Sequence, residues 1–186
     1  MTAPRFAAAL RRTAIASILI AVTSPIGAQN APPAAKPADV ASIDAILHAL
    51  YDVISGPQGQ IRDWDRFRSL FLPGARLVPT GRAADGAARH RVMTAQEYVD
   101  ANAEGLVDLG FTEKEIARTV EQFGNVAHAF STYESHFTQQ GQPRTARGIN
   151  SIQLFNDGAR WWVLSIFWDS ERPYNPIPAK YLPRQD

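Results

Sequence analysis

The sequence predicts an α+β fold in which about three helices come first and an antiparallel sheet follows. Two observations carry this prediction. Apolar residues recur every three or four positions near the start of the folded region, which is the spacing of an amphipathic helix. After residue 115, β-rich runs are separated by short turn signals, a pattern typical of consecutive antiparallel strands.

The first predicted helix covers the segment from Val40 to Ile54, where one apolar stripe follows helical spacing. Asp39 and Ser42 are both suitable caps for its start, and Gly56-Pro57 predicts its end. The stripe consists of Val40, Ile43, Ile46, Leu47, Leu50 and Ile54.

Three further elements precede the long run of strands. A second, short helix is predicted at Asp63–Phe71, which places three aromatic residues on one face. Residues 75–82 and 87–93 flank an Asp-Gly turn and predict a small hairpin. Thr94 and Glu97 form a capping box, which predicts the start of a third helix.

The second half of the chain predicts a meander of strands. Gly124-Asn125 and Asp157-Gly158 are two-residue hairpin signals, and Gln139–Pro143 reads as a five-residue loop. The runs between these turns are Val126–Thr138, Arg144–Asn156 and Ala159–Asp169. Pattern alone does not decide whether Glu115–Phe123 is a helix or a strand. Its apolar residues have helical spacing, whereas the turn after it requires a strand.

The order of these elements resembles the nuclear transport factor 2-like superfamily, in particular its SnoaL-like bacterial branch. The resemblance covers residues 40–172. It rests on the segments 63–67 (DWDRF), 70–75 (LFLPGA), 123–128 (FGNVAH) and 158–163 (GARWWV). It implies a cone-shaped curved antiparallel sheet packed around about three N-terminal helices, with a pocket between them, and it makes Glu115–Phe123 a strand. The superfamily includes isomerases, dehydratases, hydrolases and non-catalytic binding or assembly modules, so the resemblance predicts the fold better than the function.

The first 28 residues have the order of a secretory signal. Three arginines precede an apolar run at residues 13–22, and small residues follow up to Ala28. The run is about half of the roughly 20 residues that span a bilayer. We therefore expect a periplasmic or secreted protein that has no membrane segment after cleavage. The predicted organisation is a signal at 1–28, a Pro/Ala-rich linker at 29–38, the folded domain at 39–172 and a Pro-rich tail at 173–186.

Composition and charge exclude several classes of function. The chain has no cysteine, which excludes disulfides, thiol nucleophiles and cysteine-bound metals. The formal charge is +1 for 19 basic and 18 acidic residues, and becomes −2 without the three signal arginines. Nucleic acid is therefore not an expected partner. No phosphate loop or metal-binding motif occurs, so we expect neither a metal nor a cofactor.

Strand register predicts which side chains face the pocket. If Thr138 pairs with Arg144 and a two-residue turn closes at Asp157-Gly158, polar residues collect in three rows beside small ones. The rows are Thr132–Asn150–Ser165, Glu134–Gly148–Phe167 and His136–Ala146–Asp169. A slip of one residue would instead bring Ser131, Tyr133 and Ser135 to the pocket.

This register nominates Asp169, His136 and Glu134 as catalytic proton-transfer groups, provided that burial raises the pKa of the two acids. An ion pair with a nearby arginine is the alternative role for either acid. The predicted pocket-lining residues are Thr132, Asn150, Ser165, Gly148, Phe130, Trp161 and Phe167.

Three functions remain open from the sequence. The first is binding of a small apolar molecule in the pocket, the second is acid–base catalysis there, and the third is assembly. Four large apolar residues are predicted on the outer sheet face, where a homodimer could form unless the C-terminal tail folds back over them. They are Trp162, Leu164, Ile166 and Trp168.

Overall fold

The computed structural model of the protein describes residues 31–184. The helices are α1 (Pro37–Val40), α2 (Ile43–Ile54), α3 (Trp64–Ser69) and α4 (Ala95–Asp108). The strands are β1 (Phe71–Arg82), β2 (Ala88–His90), β3 (Thr112–Phe123), β4 (Val126–Gln139), β5 (Gln142–Asn156) and β6 (Trp161–Ser170). A short 3-10 turn follows at Ala179–Tyr181. The predicted signal at residues 1–28 lies outside the described residues.

Local capping chemistry determines where the helices begin. The Ser42 hydroxyl accepts from the Ala45 amide at 3.0 Å and starts α2, so of the two candidate caps Ser42 is used. Asp63 caps α3 in the same way. At α4, Thr94 and Glu97 form the predicted capping box, with both reciprocal hydrogen bonds present.

The strands form one curved six-stranded sheet in the order β2-β1-β6-β5-β4-β3. The predicted α+β architecture is therefore confirmed, and the segment that pattern alone left open is strand β3. Neighbouring strands are antiparallel, except that β1 runs parallel to β6. Helices α2, α3 and α4 pack over the inner face of this sheet, and the core lies between the two layers.

The predicted register between β4 and β5 is wrong by one residue. Gln139 pairs with Gln142 across a two-residue turn, so the connection is shorter than the predicted five-residue loop. Gln140 and Gly141 both adopt positive φ, at 53° and 71°, as a type I′ turn requires. Because side chains alternate along a strand, this slip moves the other set of β4 residues to the inner face.

The predicted pairing of β5 with β6 is wrong as well. Asn156 pairs with Trp161, because the Asp157 carboxylate accepts from the amides of Ala159 and Arg160 and so builds a longer turn. Farther along, Leu164 is an extra residue opposite the Gln153–Leu154 step, which is a β-bulge. After the bulge, every β6 side chain faces the side opposite to the predicted one.

The bulge removes the predicted dimer face. Ile166 is buried in the core and Trp168 packs against it, so these two side chains do not join Trp162 and Leu164 on the outer face. Self-association of the chain stays a prediction, but the four residues do not form one patch.

The C-terminal tail folds back over the outer face of the sheet, as the alternative prediction held. Ile177 in the tail is buried. The Thr132 hydroxyl donates to the Tyr181 carbonyl at 2.6 Å, and the rings of Phe130 and Tyr181 meet edge to face at 4.9 Å. Across residues 31–184 no helix has the length and apolar character needed to cross a membrane.

Candidate functional site

A cavity of about 280 Å³ lies between the helices and the inner face of the sheet. Its walls are mainly apolar and aromatic, and polar side chains converge on one side. The apolar and aromatic lining comprises Leu50, Ile54, Phe67, Leu77, Tyr98, Leu106, Phe111, Tyr133, Phe137, Ala146, Ile166 and Trp168. The polar lining comprises Tyr51, Asn102, Glu113, Ser135, Asn150 and Ser170. An apolar cavity with few convergent polar groups is the usual form of a small-molecule site.

Glu113 is the one acidic side chain in the described lining of this cavity. It lies on β3 opposite Ser135 of β4, whose hydroxyl donates to its Oε2 at 2.8 Å. Desolvation by burial raises the pKa of the Glu113 carboxyl to about 7, although hydrogen bonds with Ser135 and Asn150 oppose the rise. A carboxyl group that titrates near neutrality in a cavity is a mark of functional sites.

A hydrogen-bond chain leads from the cavity to the sheet edge. The Asn150 amide donates to the Tyr51 hydroxyl at 3.1 Å, and this hydroxyl lies 2.7 Å from the Ser131 Oγ. Ser131 donates its only proton to the Glu115 carboxylate. Tyr51 must therefore donate to Ser131, so its own proton is used within the protein. Burial raises the pKa of the Tyr51 hydroxyl, which keeps it protonated.

The three predicted catalytic residues are not brought together in this cavity. Asp169 pairs with Ile149 and His136 with Thr145, four positions apart on β5, which is about 13 Å along a strand. The corrected β4 register places Glu134 and His136 outside the cavity lining, and the two side chains hydrogen-bond each other at 3.1 Å.

Asp169 has the role that the alternative prediction gave it. The Arg172 guanidinium donates to both of its carboxylate oxygens, at 2.8 and 2.7 Å. These bonds hold the pKa of Asp169 below its ordinary value, so the group is unsuited to proton transfer near neutrality.

Of the predicted pocket-lining residues, Asn150 lies in the cavity lining. Four others line or lie beneath a second cleft of about 450 Å³, between the outer sheet face and the tail. These are Thr132, Gly148, Phe130 and Phe167. Ser165 follows the bulge, which turns it away from the predicted face, and Trp161 is buried in the core outside the cavity.

Gly148 leaves the space that Tyr133 occupies. The two residues are paired across β5 and β4, and a Cβ built on Gly148 would lie 2.3 Å from the Tyr133 hydroxyl. It would also lie 2.4 Å from the Asp169 carbonyl oxygen, which belongs to the backbone and cannot rotate aside.

We expect Gly148→Ala to lower the free energy of unfolding by about 1–3 kcal/mol, the usual cost of overpacking. Gly81→Ala is the matched control, because a Cβ at Gly81 meets no described atom within 4 Å. Urea denaturation of both variants measures the difference. Equal stability of the two variants would contradict the assigned packing of Tyr133.

Sequence reasoning missed Glu113, which lies before the segment 115–123 that it assigned to a strand. Counting back from the Gly124-Asn125 turn would pair Ser135 with Lys114. A bulge in β3 between Glu115 and Ala117 shifts the partner of Ser135 to Glu113. Across residues 31–184, no group of three His, Cys, Asp or Glu side chains is arranged to hold a metal ion.

Solved structures with the same fold include a nuclear transport factor 2-like superfamily protein from Salmonella enterica serovar Typhimurium. It is 14% identical, with a TM-score of 0.50, and the match covers 74% of this chain and 87% of that one. A candidate calcium/calmodulin-dependent protein kinase II association domain from Xanthomonas campestris is 13% identical, with a TM-score of 0.53 and coverage of 70% and 86%. A protein with a cystatin-like fold from Caulobacter vibrioides is 14% identical, with a TM-score of 0.51 and coverage of 72% and 90%.

These similarities confirm the predicted nuclear transport factor 2-like fold. At such low identity they establish the fold alone, because unrelated activities share it. No protein-family model matches the sequence, and no curated protein matches it either. Assignment to the SnoaL-like branch stays a prediction.

Proposed function

We propose that the protein binds a small, mainly apolar molecule in the cavity between its helices and its sheet. The observation that carries this proposal is the combination of an aromatic cavity of about 280 Å³ with one carboxyl group among its described lining residues. Ligand cavities in proteins start at roughly 300 Å³, so the volume suits a molecule of one or two rings. The apolar walls supply affinity, and the carboxyl group supplies orientation.

The experiment blocks the cavity while leaving the fold intact. Ala146 lines the cavity, whereas Thr145 is exposed on the opposite face of the same strand. We expect Ala146→Phe to abolish binding and Thr145→Phe to retain it, because only the first ring occupies the cavity. Native mass spectrometry detects any co-purified small molecule, and NMR titration with 2-phenylethanol measures binding of a neutral probe.

Circular dichroism confirms that both variants are folded. Binding that survives Ala146→Phe would place the ligand elsewhere. A wild-type protein that carries no small molecule and binds neither neutral nor charged aromatic probes would overturn the proposal.

Acid–base catalysis is a second candidate function, favoured by the pKa of Glu113 near 7. A group that titrates close to the working pH serves well as a general base or acid. In this version of the proposal, Glu113 takes the role that sequence reasoning gave to Asp169, His136 and Glu134, and the bound molecule is a substrate.

A further inference from the structure

The cavity carboxylate has no counter-ion among the residues that the structure describes. Across residues 31–184, no Lys, Arg or His lines the cavity, and none forms an ion pair with Glu113. Arg62, the one buried cation among residues 31–184, donates to backbone carbonyls, including those of Leu106 and Phe111. An ionised group in an apolar site is costly unless a partner of opposite charge accompanies it.

Acceptor oxygens are available on the polar side of the cavity. Ser135 has donated its proton to Glu113, and Tyr51 has donated its proton toward Ser131. Asn102 has donated one of its two N–H groups to the Tyr98 carbonyl, and its side-chain oxygen remains as an acceptor. A ligand that brings donors can therefore bond to the carboxylate and to these oxygens.

The rest of the lining suits a cation. Seven aromatic side chains surround the cavity, and an aromatic face attracts a desolvated ammonium group electrostatically. They are Tyr51, Phe67, Tyr98, Phe111, Tyr133, Phe137 and Trp168. A carboxylate that has aromatic neighbours, and no Lys, Arg or His paired with it among the described residues, is the combination that recognises an organic cation.

We infer that the occupant of the cavity is an apolar amine, whose protonated nitrogen binds the Glu113 carboxylate while its hydrocarbon body contacts the aromatic walls. This inference rests on the proposed function and specifies the ligand class. An ammonium group supplies the missing charge and up to three N–H donors, which the carboxylate and the neighbouring oxygens can receive.

The groups facing Glu113 explain how pH acts on this recognition. Tyr51 of α2, Tyr98 of α4, and Tyr133 and Ser135 of β4 surround it, together with Asn150 of β5, and none of them carries a positive charge. In the empty cavity the Glu113 carboxyl holds its proton until about pH 7. An ammonium ligand must displace that proton, so its affinity falls by about tenfold per pH unit below 7.

The test compares three probes that each carry a phenyl ring and differ in their polar group: 2-phenylethylamine, 2-phenylethanol and phenylacetate. At pH 8 we expect the amine to bind about tenfold or more tightly than the alcohol, because a charge-assisted bond replaces a neutral one. Phenylacetate should bind most weakly. Calorimetry at pH 5.5 and 8 measures the affinities, and the amine stays protonated throughout this range.

Glu113→Gln and Glu104→Gln are the matched variants, since the second removes an exposed carboxylate of α4. We expect Glu113→Gln to abolish both the preference for the amine and its pH dependence, and Glu104→Gln to retain both. If the alcohol binds as tightly as the amine, the inference fails while the proposed function stands. If none of the three probes binds and no small molecule co-purifies, the proposed function fails with it.

Discussion

Replacing Arg62 by Met should lower the free energy of unfolding by about 3–5 kcal/mol, because buried carbonyls lose a charged donor. Arg62 is 4% exposed, and the five N–H groups of its guanidinium lie within hydrogen-bond distance of six backbone carbonyls, so that one N–H is shared. These belong to the last residue of α2 and the loop after it, to the end of α4 and to the residue before β3. The carbonyls are those of Ile54, Gly56, Pro57, Gln60, Leu106 and Phe111.

Methionine matches the length of the arginine stem but donates no hydrogen bond, so the substitution isolates the guanidinium. The matched control is Arg68→Met, which removes a more exposed ion pair with Asp65 and should cost less than about 1 kcal/mol. Urea denaturation of the three proteins gives the comparison. If Arg62→Met is too unstable to measure, Arg62→Lys keeps the charge and should still lose most of the stability. A loss below that of the Arg68 variant would contradict the role assigned to Arg62.

Replacing Glu113 by Gln should stabilise the protein by about 3 kcal/mol at pH 8 and have little effect at pH 4. Burial raises the pKa of Glu113 from its ordinary value of 4.5 to about 7 in the folded state. Between these two values the unfolded chain has lost the proton that the folded chain retains. The free energy of unfolding therefore falls as pH rises from 4.5 to 7, and the loss is complete above pH 7.

Glutamine has nearly the shape of the protonated acid and does not titrate, so the variant lacks this loss. Other groups, such as Asp169, whose pKa is held low by Arg172, change stability in the opposite direction. The informative quantity is accordingly the difference between wild type and variant, measured by urea denaturation at several pH values from 4 to 8. Glu104→Gln controls for the loss of one carboxylate outside the cavity. A difference that stays constant with pH would refute the burial of an ionisable Glu113.

The two predictions are linked through the start of β3. Arg62 donates to the Phe111 carbonyl, two residues before Glu113. The hydroxyl of Ser55, the residue directly after α2, accepts from the Glu113 amide at 2.8 Å. The loop after α2 therefore positions the cavity carboxyl through backbone contacts. We expect the Arg62 variant, where it folds, to bind the amine probe more weakly as well.

Local interactions were predictable from the sequence alone. Helix starts depend on caps only three residues from their partners, so the Thr94 capping box could be recognised directly and Ser42 was one of two candidates for the start of α2. The α+β class followed from periodicity and turn signals in the same way. The strand identity of residues 115–123 required the resemblance, because its spacing fits either structure.

The inner face of the sheet was decided by tertiary structure. Gln140-Gly141 closes a tighter turn than its sequence indicated, and the bulge at Leu164 reverses the faces of β6. Either change alone moves a whole set of side chains across the sheet, because the side-chain period of a strand is two residues. These two changes explain why Asp169 and His136 were nominated. Glu113 was not, because a further bulge in β3, between Glu115 and Ala117, is what pairs it with Ser135. The sequence by itself determined the fold class and the capping box of α4, whereas packing across the sheet selected the carboxyl group that faces the cavity.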